Sequence, residues 1–324
     1  MNQRKQLTAA GASLGMLLLI LDSRCALESA REGLELCIRT VIPSLFPFLF
    51  LSGLVTTALW GNGGRALRLA AGLVHIPPGG ESLFLAGFLG GYPAGAAAIG
   101  TAFRTGQLDR DDANRLLAFC NNAGPAFLFG MIAPQLPQKW MAWCLWGIHI
   151  LSAAVVGAVY SPPTALSHVS APRNPSVRVS MQDSLRVMAT VCGWIVLFRI
   201  LIGFLDRWIL WILPQPLRIL LWGLLELSNG CCALQAVEPA ALRFVMAAAM
   251  VSFGGTCVAL QTASVLSGLS IKHYLAGKLL QTAISILLAG AVMASQRPVL
   301  VLACAGALLF PQYRKKAVAI RTFP

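Results

Sequence analysis

Long apolar runs separated by short polar or charged stretches dominate the chain. A helical bilayer crossing takes roughly 20 apolar residues, and crossings are expected near Leu7–Leu21, Val41–Trp60, Ser82–Phe103, Trp140–Tyr160, Val187–Ile212, Leu217–Val237, Tyr274–Ala294 and Pro298–Gln312. Two further apolar runs, Leu116–Pro134 and Phe244–Leu269, are broken in the middle by Cys120-Asn121-Asn122-Ala123-Gly124-Pro125 and by Ser252-Phe253-Gly254-Gly255-Thr256. Proline cannot donate a backbone hydrogen bond, and asparagine and glycine favour turns. Backbone freed at membrane depth is tolerated only when buried in protein or lining a cavity. Both runs are therefore expected to be re-entrant helical hairpins. The third crossing is also interrupted, by Gly90-Gly91-Tyr92-Pro93-Ala94-Gly95. Between the first two crossings, Leu27, Ala30, Leu34, Cys37 and Val41 recur at helical spacing among Glu28, Arg31, Glu32 and Glu35, a pattern suited to a helix lying in the interface.

The halves look related. Val41, Phe48 and Gly53 precede Val191, Phe198 and Gly203 by 150 positions each, Gly87 resembles Gly223, and the break at 122–125 faces that at 253–256. Ser161–Ser176, rich in proline, serine and alanine, is the linker between them. The fold class expected is an all-α polytopic membrane protein with two inverted repeats and about eight transmembrane spans. Its parts are an N-terminal span and interfacial helix (1–40), a first repeat (41–160), a linker and interfacial segment (161–186), a second repeat (187–296), and a last span with a basic tail (297–324). The distribution of Lys and Arg favours hairpins by a small margin and puts both termini on the cytoplasmic side. Interrupted helices at corresponding places in inverted halves point to a transporter's central site.

Composition agrees with that class. Of 324 residues, 57% are hydrophobic and 11% charged, and mean hydropathy is +0.71. The net charge of +13 sits mainly between apolar runs, so it reads as topology signal and lipid-headgroup contact rather than nucleic-acid binding. Arg4 and Lys5 before Leu7–Leu21 imitate a secretory leader, but no small-x-small cleavage site follows, so an uncleaved first span is expected. The nine cysteines, including Cys231-Cys232, lie mostly in apolar runs and imply neither a disulfide framework nor a metal site.

Candidate chemistry is confined to polar groups within the apolar runs. Asn121 and Asn122 offer amides, Gly124 allows close approach to backbone, and the helix resuming after Pro125 would aim its N–H groups inward. Equally, the amides could serve only their own broken backbone. Ser252, Gly254, Gly255 and Gln261 form the counterpart, although glycine pairs also serve helix packing. Tyr92 adds a hydroxyl and an aromatic face at the third crossing, and Glu226, Ser228, Asn229 and Gly230 hold the matching place in the second half. Glu226 reads as the one acidic residue deep in an apolar run and Arg199 as the one basic residue inside a span. The pair is either a structural ion pair or an anion site with a proton carrier. Asp109, Asp111 and Asp112 lack calcium-loop spacing, and His75, His149, His168 and His273 are scattered. No phosphate-binding loop, HExxH or GxSxG occurs, so neither an enzyme nor a bound cofactor or metal is expected.

Gly90-Gly91-Tyr92-Pro93-Ala94-Gly95, Phe119–Pro125, Ser252–Gly255 with Gln261, and the Lys272–Leu280 stretch together resemble the YlbJ-type sporulation integral membrane proteins, also called the SpoVV family. The likeness covers most of the chain, and its CNNAGP-like element is its most specific part. That family is grouped with the Gate or nucleoside-recognition domains. The resemblance implies a protein of the outer forespore membrane that moves dipicolinic acid, a small aromatic dianion. Asparagine amides, helix N-termini and Arg199 would suit its carboxylates, and Tyr92 or Phe253 its ring. The partners expected are thus a small anionic solute and the lipid bilayer, with a homo-oligomer or other sporulation membrane proteins left open. The rivals are a Gate-type carrier of nucleosides or another metabolite, and a non-transporting scaffold for spore assembly.

Overall fold

In a computed structural model, residues 3–59, 80–159, 177–266 and 268–307 are described, with single positions at 64, 67, 71, 72, 74 and 76. The Ser161–Ser176 linker lies outside the described residues, as do His75, His168 and the end of the last expected span. The described chain is helical: α1 Gln3–Leu21, α2 Ser23–Leu36, α3 Ile42–Ala58, α4 Glu81–Phe88, α5 Ala94–Arg104, α6 Arg110–Leu117, α7 Pro125–Phe127, α8 Lys139–Val159, α9 Val177–Trp208, α10 Gln215–Leu225, α11 Leu227–Cys232, α12 Ala240–Phe253, α13 Gly255–Val265, α14 Ile271–Ser295 and α15 Pro298–Ala307. Five helical stretches among the described residues are long and apolar enough to cross a membrane: Ser23–Val55, Lys139–Val159, Val177–Trp208, Ala240–Val265 and Ile271–Ser295. The molecule is a helical membrane protein.

Two apolar cores flank the breaks. One gathers Leu128, Met131, Leu145, Phe244 and Met250, the other Leu83, Ile99, Leu117, Phe119 and Tyr274, and α8 contributes to both. Helix α14 runs along α12 and α8, while α9 runs along α2.

The α2–α9 contact gives α2 a protein partner. Its buried face is Cys25, Ala26, Ser29 and Gly33, whereas Leu27 and Leu34 stay exposed. Small residues let the backbones approach: a Cβ at Gly33 would lie 3.1 Å from the Val196 Cα. A wider turn at Cys37–Val41 then carries α2 onward into α3.

The fold-backs also lie elsewhere than expected. The helix pairs that double back and pack on themselves are α4 with α5 and α10 with α11, both within runs that read as crossings, the first of them interrupted. Paired glycines make this geometry available. A Cβ at Gly95 would lie 2.8 Å from the Gly87 Cα, and one at Gly230 would overlap the Gly223 Cα. The run containing Gly254, in contrast, continues through its break: Gly254 takes a left-handed conformation (φ +83°), and α13 resumes at the next residue. The first half breaks more widely, through Ala118–Gly124 between α6 and α7, with the Asn122 N–H donating to the Gly87 carbonyl at 3.1 Å. Each half thus holds one doubled-back pair and one broken helix.

Candidate functional site: a cavity where three chain breaks meet

The breaks converge. A cavity open on one side is bounded by Gly90, Gly91 and Tyr92 from the α4–α5 turn, Ala123 and Gly124 before α7, Glu226, Leu227 and Ser228 at the α10–α11 turn, and Val258 and Gln261 of α13. Leu45, Phe48 and Leu49 of α3 and Val191 of α9 supply apolar wall. The lining is thus mostly apolar with a few polar groups, the usual make-up of a small-molecule site.

Of the residues singled out in the sequence, Tyr92, Gly124, Glu226 and Gln261 line this cavity, whereas Asn121, Asn122, Pro125, Asn229, Ser252, Gly254, Gly255, Arg199 and Phe253 do not. Most of the latter hold the broken backbone together. Asn121, fully buried, accepts from the Ala96 N–H at 3.2 Å and donates to Thr262 Oγ1 at 2.9 Å. It thereby caps α5 from a neighbouring segment, satisfying one of the free N–H groups at a helix start. Asn122 donates to the Phe119 carbonyl at 2.7 Å. Pro125 begins α7, where its missing N–H costs nothing. Thr256 Oγ1 donates to the Leu224 carbonyl at 3.0 Å, serving the frayed end of α10.

The expected Arg199–Glu226 pair is absent. Arg199 on α9 is half-buried and pairs with Glu32 of α2. Glu226 is buried and caps its own short helix, accepting from the Ser228 N–H at 3.1 Å, the Asn229 N–H at 2.8 Å and Asn229 Nδ2 at 2.7 Å. Each residue stands in an apolar run, but Arg199 faces the α2 contact and Glu226 the cavity. Spacing along the chain does not set that difference.

Tyr92 joins the halves. Its hydroxyl donates to the Val251 carbonyl at 3.3 Å, and its ring lies on Gly254, where a Cβ would meet Cζ and Oη at 3.1 Å. Over the ring stands Lys278, with Nζ 5.1 Å from the Tyr92 ring centroid and 5.8 Å from that of Tyr274. Lys278 corrects the view of Arg199 as the one basic residue within a span, because it is fully buried on α14. Its Nζ donates to Asn122 Oδ1 at 3.0 Å and to Gln281 Oε1 at 2.7 Å. A polar seam continues from there. Gln281 Nε2 donates to Asn122 Oδ1 at 3.1 Å and to the His149 carbonyl at 3.2 Å, and Ser285, Ser252 and Ser152 form a hydroxyl chain at 2.7 and 2.9 Å. His149 Nε2 accepts from the Ala123 N–H at 3.2 Å, tying α8 to the first break.

Sequence reading missed Lys278, Gln281, Ser285, His149 and Ser152. The signal was present on α14, where Tyr274, Gly277, Lys278, Gln281, Ser285, Ala289 and Val292 share the buried face while Leu279, Leu280, Ile286 and Leu287 are exposed. Polar residues inward and leucines outward is the pattern of a helix surrounded by lipid.

Comparison with known proteins adds one relation. The chain is 25% identical over 312 residues to the sporulation integral membrane protein YlbJ of Bacillus subtilis (strain 168), an alignment covering 80% of this chain and 75% of the relative. No protein-family model matches the chain. No solved structure matches it.

Proposed function

We propose that the protein is a secondary transporter or facilitator of a small organic anion in the membrane of a spore-forming cell, with dipicolinate as its solute. The observation that carries this reading is the convergence of three chain breaks, at 90–92, 123–124 and 226–228, on one largely apolar cavity beside the helix that resumes after the fourth. Interrupted backbone is costly in a bilayer and is placed where it lines a solute path. In this reading the two halves are inverted repeats in a fold of about eight spans, each pairing a doubled-back hairpin with a broken crossing helix. The likeness to YlbJ supports a membrane role in sporulation, and we place the protein in the outer forespore membrane with both termini cytoplasmic.

Glu226 constrains the mechanism. Among the described residues it is the charged side chain in the cavity wall, which no lysine or arginine lines. A carboxylate solute beside an ionised Glu226 would meet like-charge repulsion in a poorly solvated space. The anion therefore enters together with a proton on Glu226, which makes the proton the natural coupling ion. Alternating access then consists of the doubled-back pairs moving against the broken helices.

A second reading has its own support. A wall with Gln261, Ser228 and Glu226 but no basic side chain among the described residues also fits a neutral nucleoside, whose base takes amide and carboxylate hydrogen bonds. Uptake into proteoliposomes separates the two. Accumulation of labelled dipicolinate, accelerated by an inward proton gradient and not displaced by nucleosides, is expected. Nucleoside uptake without dipicolinate uptake would replace the anion reading with its rival, and absence of any uptake would favour a scaffold.

A further inference from the structure

The cavity wall is one aromatic ring away from a buried cation. Lys278 is fully buried and forms no ion pair among the described residues. Its ammonium has three donors. Two go to neutral amide oxygens, Asn122 Oδ1 and Gln281 Oε1, and the third side faces the π surface of Tyr92. Amide oxygens and ring faces stabilise a cation without neutralising it. A buried charge lacking a counter-charge is among the most expensive groups in a membrane protein, and such groups commonly mark an ion or solute path.

Tyr92 is placed to be a movable partition. Tyr92 lines the cavity, and Lys278 Nζ lies over its ring, 5.1 Å from the centroid. A single, long hydrogen bond of 3.3 Å from its hydroxyl to the Val251 carbonyl latches it. Gly91, with φ +76°, precedes it as a hinge, and the ring rests against the bare backbone of Gly254.

We propose that Lys278 is the carboxylate-recognition residue of this carrier, reached when Tyr92 swings aside, and that its specificity is for small organic carboxylates. This rests on the carrier reading above and deepens it. The carboxylate takes the donor that faced the ring, completing the charge-assisted set on Nζ, while Asn122 and Gln281 hold the ammonium in place. Recognition and coupling are then divided between two halves of one site: Lys278 reads the negative charge, and Glu226 across the cavity carries the proton.

The test is equilibrium binding of labelled dipicolinate to the purified full-length protein, with its neutral diamide as competitor. Lys278→Gln is expected to weaken dipicolinate binding about 10- to 100-fold, the range for losing a hydrogen bond to a charged group, and to abolish preference for the diacid over the diamide. Lys278→Arg should retain that preference. Tyr92→Phe, which removes the latch and leaves Lys278 untouched, should speed association. Folded Lys278→Gln protein with wild-type affinity would overturn the Lys278 assignment while leaving the carrier reading intact, and so would a collapsed preference in Lys278→Arg with the fold retained. If Lys278→Gln fails to fold, Tyr92→Phe decides, and an unchanged association rate overturns the partition. Wild-type protein that binds no aromatic carboxylate would refute the solute class, and the Lys278 assignment with it.

Discussion

Substituting Gly95 by alanine tests the packing that brings the breaks together. A Cβ there would collide with the Cys120 carbonyl oxygen, lie 2.8 Å from the Gly87 Cα and stand 3.1 Å from the Asn121 Cα. All three neighbours are backbone, so no side chain can rotate away, and α5 must shift relative to both α4 and the first break. Overpacking of this kind costs about 1–3 kcal/mol. Two buried hydrogen bonds cross the same contact, Ala96 N–H to Asn121 Oδ1 and Asn122 N–H to the Gly87 carbonyl. Weakening them adds about 0.5–1.5 kcal/mol each, and alanine's better helix propensity returns about 0.5–1 kcal/mol. The net loss is about 3 kcal/mol, which at about 2 °C per kcal/mol for a large chain lowers the melting temperature by about 6 °C. Thermal unfolding of detergent-solubilised protein, followed with a thiol-reactive dye that reports exposure of buried Cys120, measures it directly. Gly290→Ala on α14 is the control, because nothing lies within 4 Å of its Cβ position. Equal melting temperatures for the two variants would refute the close approach of α5 to the break.

Three further outcomes are expected. Asn121→Ala should destabilise the protein by about 2–3 kcal/mol, since the Ala96 N–H and Thr262 hydroxyl lose a buried partner, whereas Asn121→Asp should recover part of that loss by keeping the acceptor; melting curves in detergent check both. Arg199→Ala removes an ion pair to the exposed Glu32 carboxylate, so it should cost about 1 kcal/mol or less and leave solute affinity unchanged in the binding assay. Glu226→Gln should remove the stimulation of uptake by an inward proton gradient while binding of dipicolinate becomes insensitive to pH; a gradient response equal to wild type would eliminate Glu226 as the proton carrier.

The positions of the breaks were readable because glycine, proline and amides stand out within apolar runs, and Tyr92, Gly124, Glu226 and Gln261 do line the cavity. Which runs double back was not readable. A broken apolar run looks alike whether its second arm returns or continues, and the answer depended on whether backbones could touch, as at Gly87 with Gly95 and Gly223 with Gly230. Asn121 and Asn122 were recognised as special, but their partners lie on α5, α13 and α14, remote in the chain, so a capping role could not be told from a binding role. Lys278 was passed over because a lysine near the start of an apolar run reads as a boundary charge. Its burial follows from the rotation of α14, where Gly277 packs against Ala118 and directs the next residue toward the break.

The claim that the cavity at the chain breaks is the solute path is tested most directly by obstructing it. Ala126 lines the cavity from the start of α7 and is only partly buried, so Ala126→Trp can fill the space without entering either core. Dipicolinate uptake should be measured in proteoliposomes carrying equal amounts of wild-type or variant protein of matched thermal stability. The account predicts robust uptake by the wild type and a loss of at least about tenfold in the variant, since a bulky side chain excludes the solute from its site. Uptake by Ala126→Trp at the wild-type rate would contradict it.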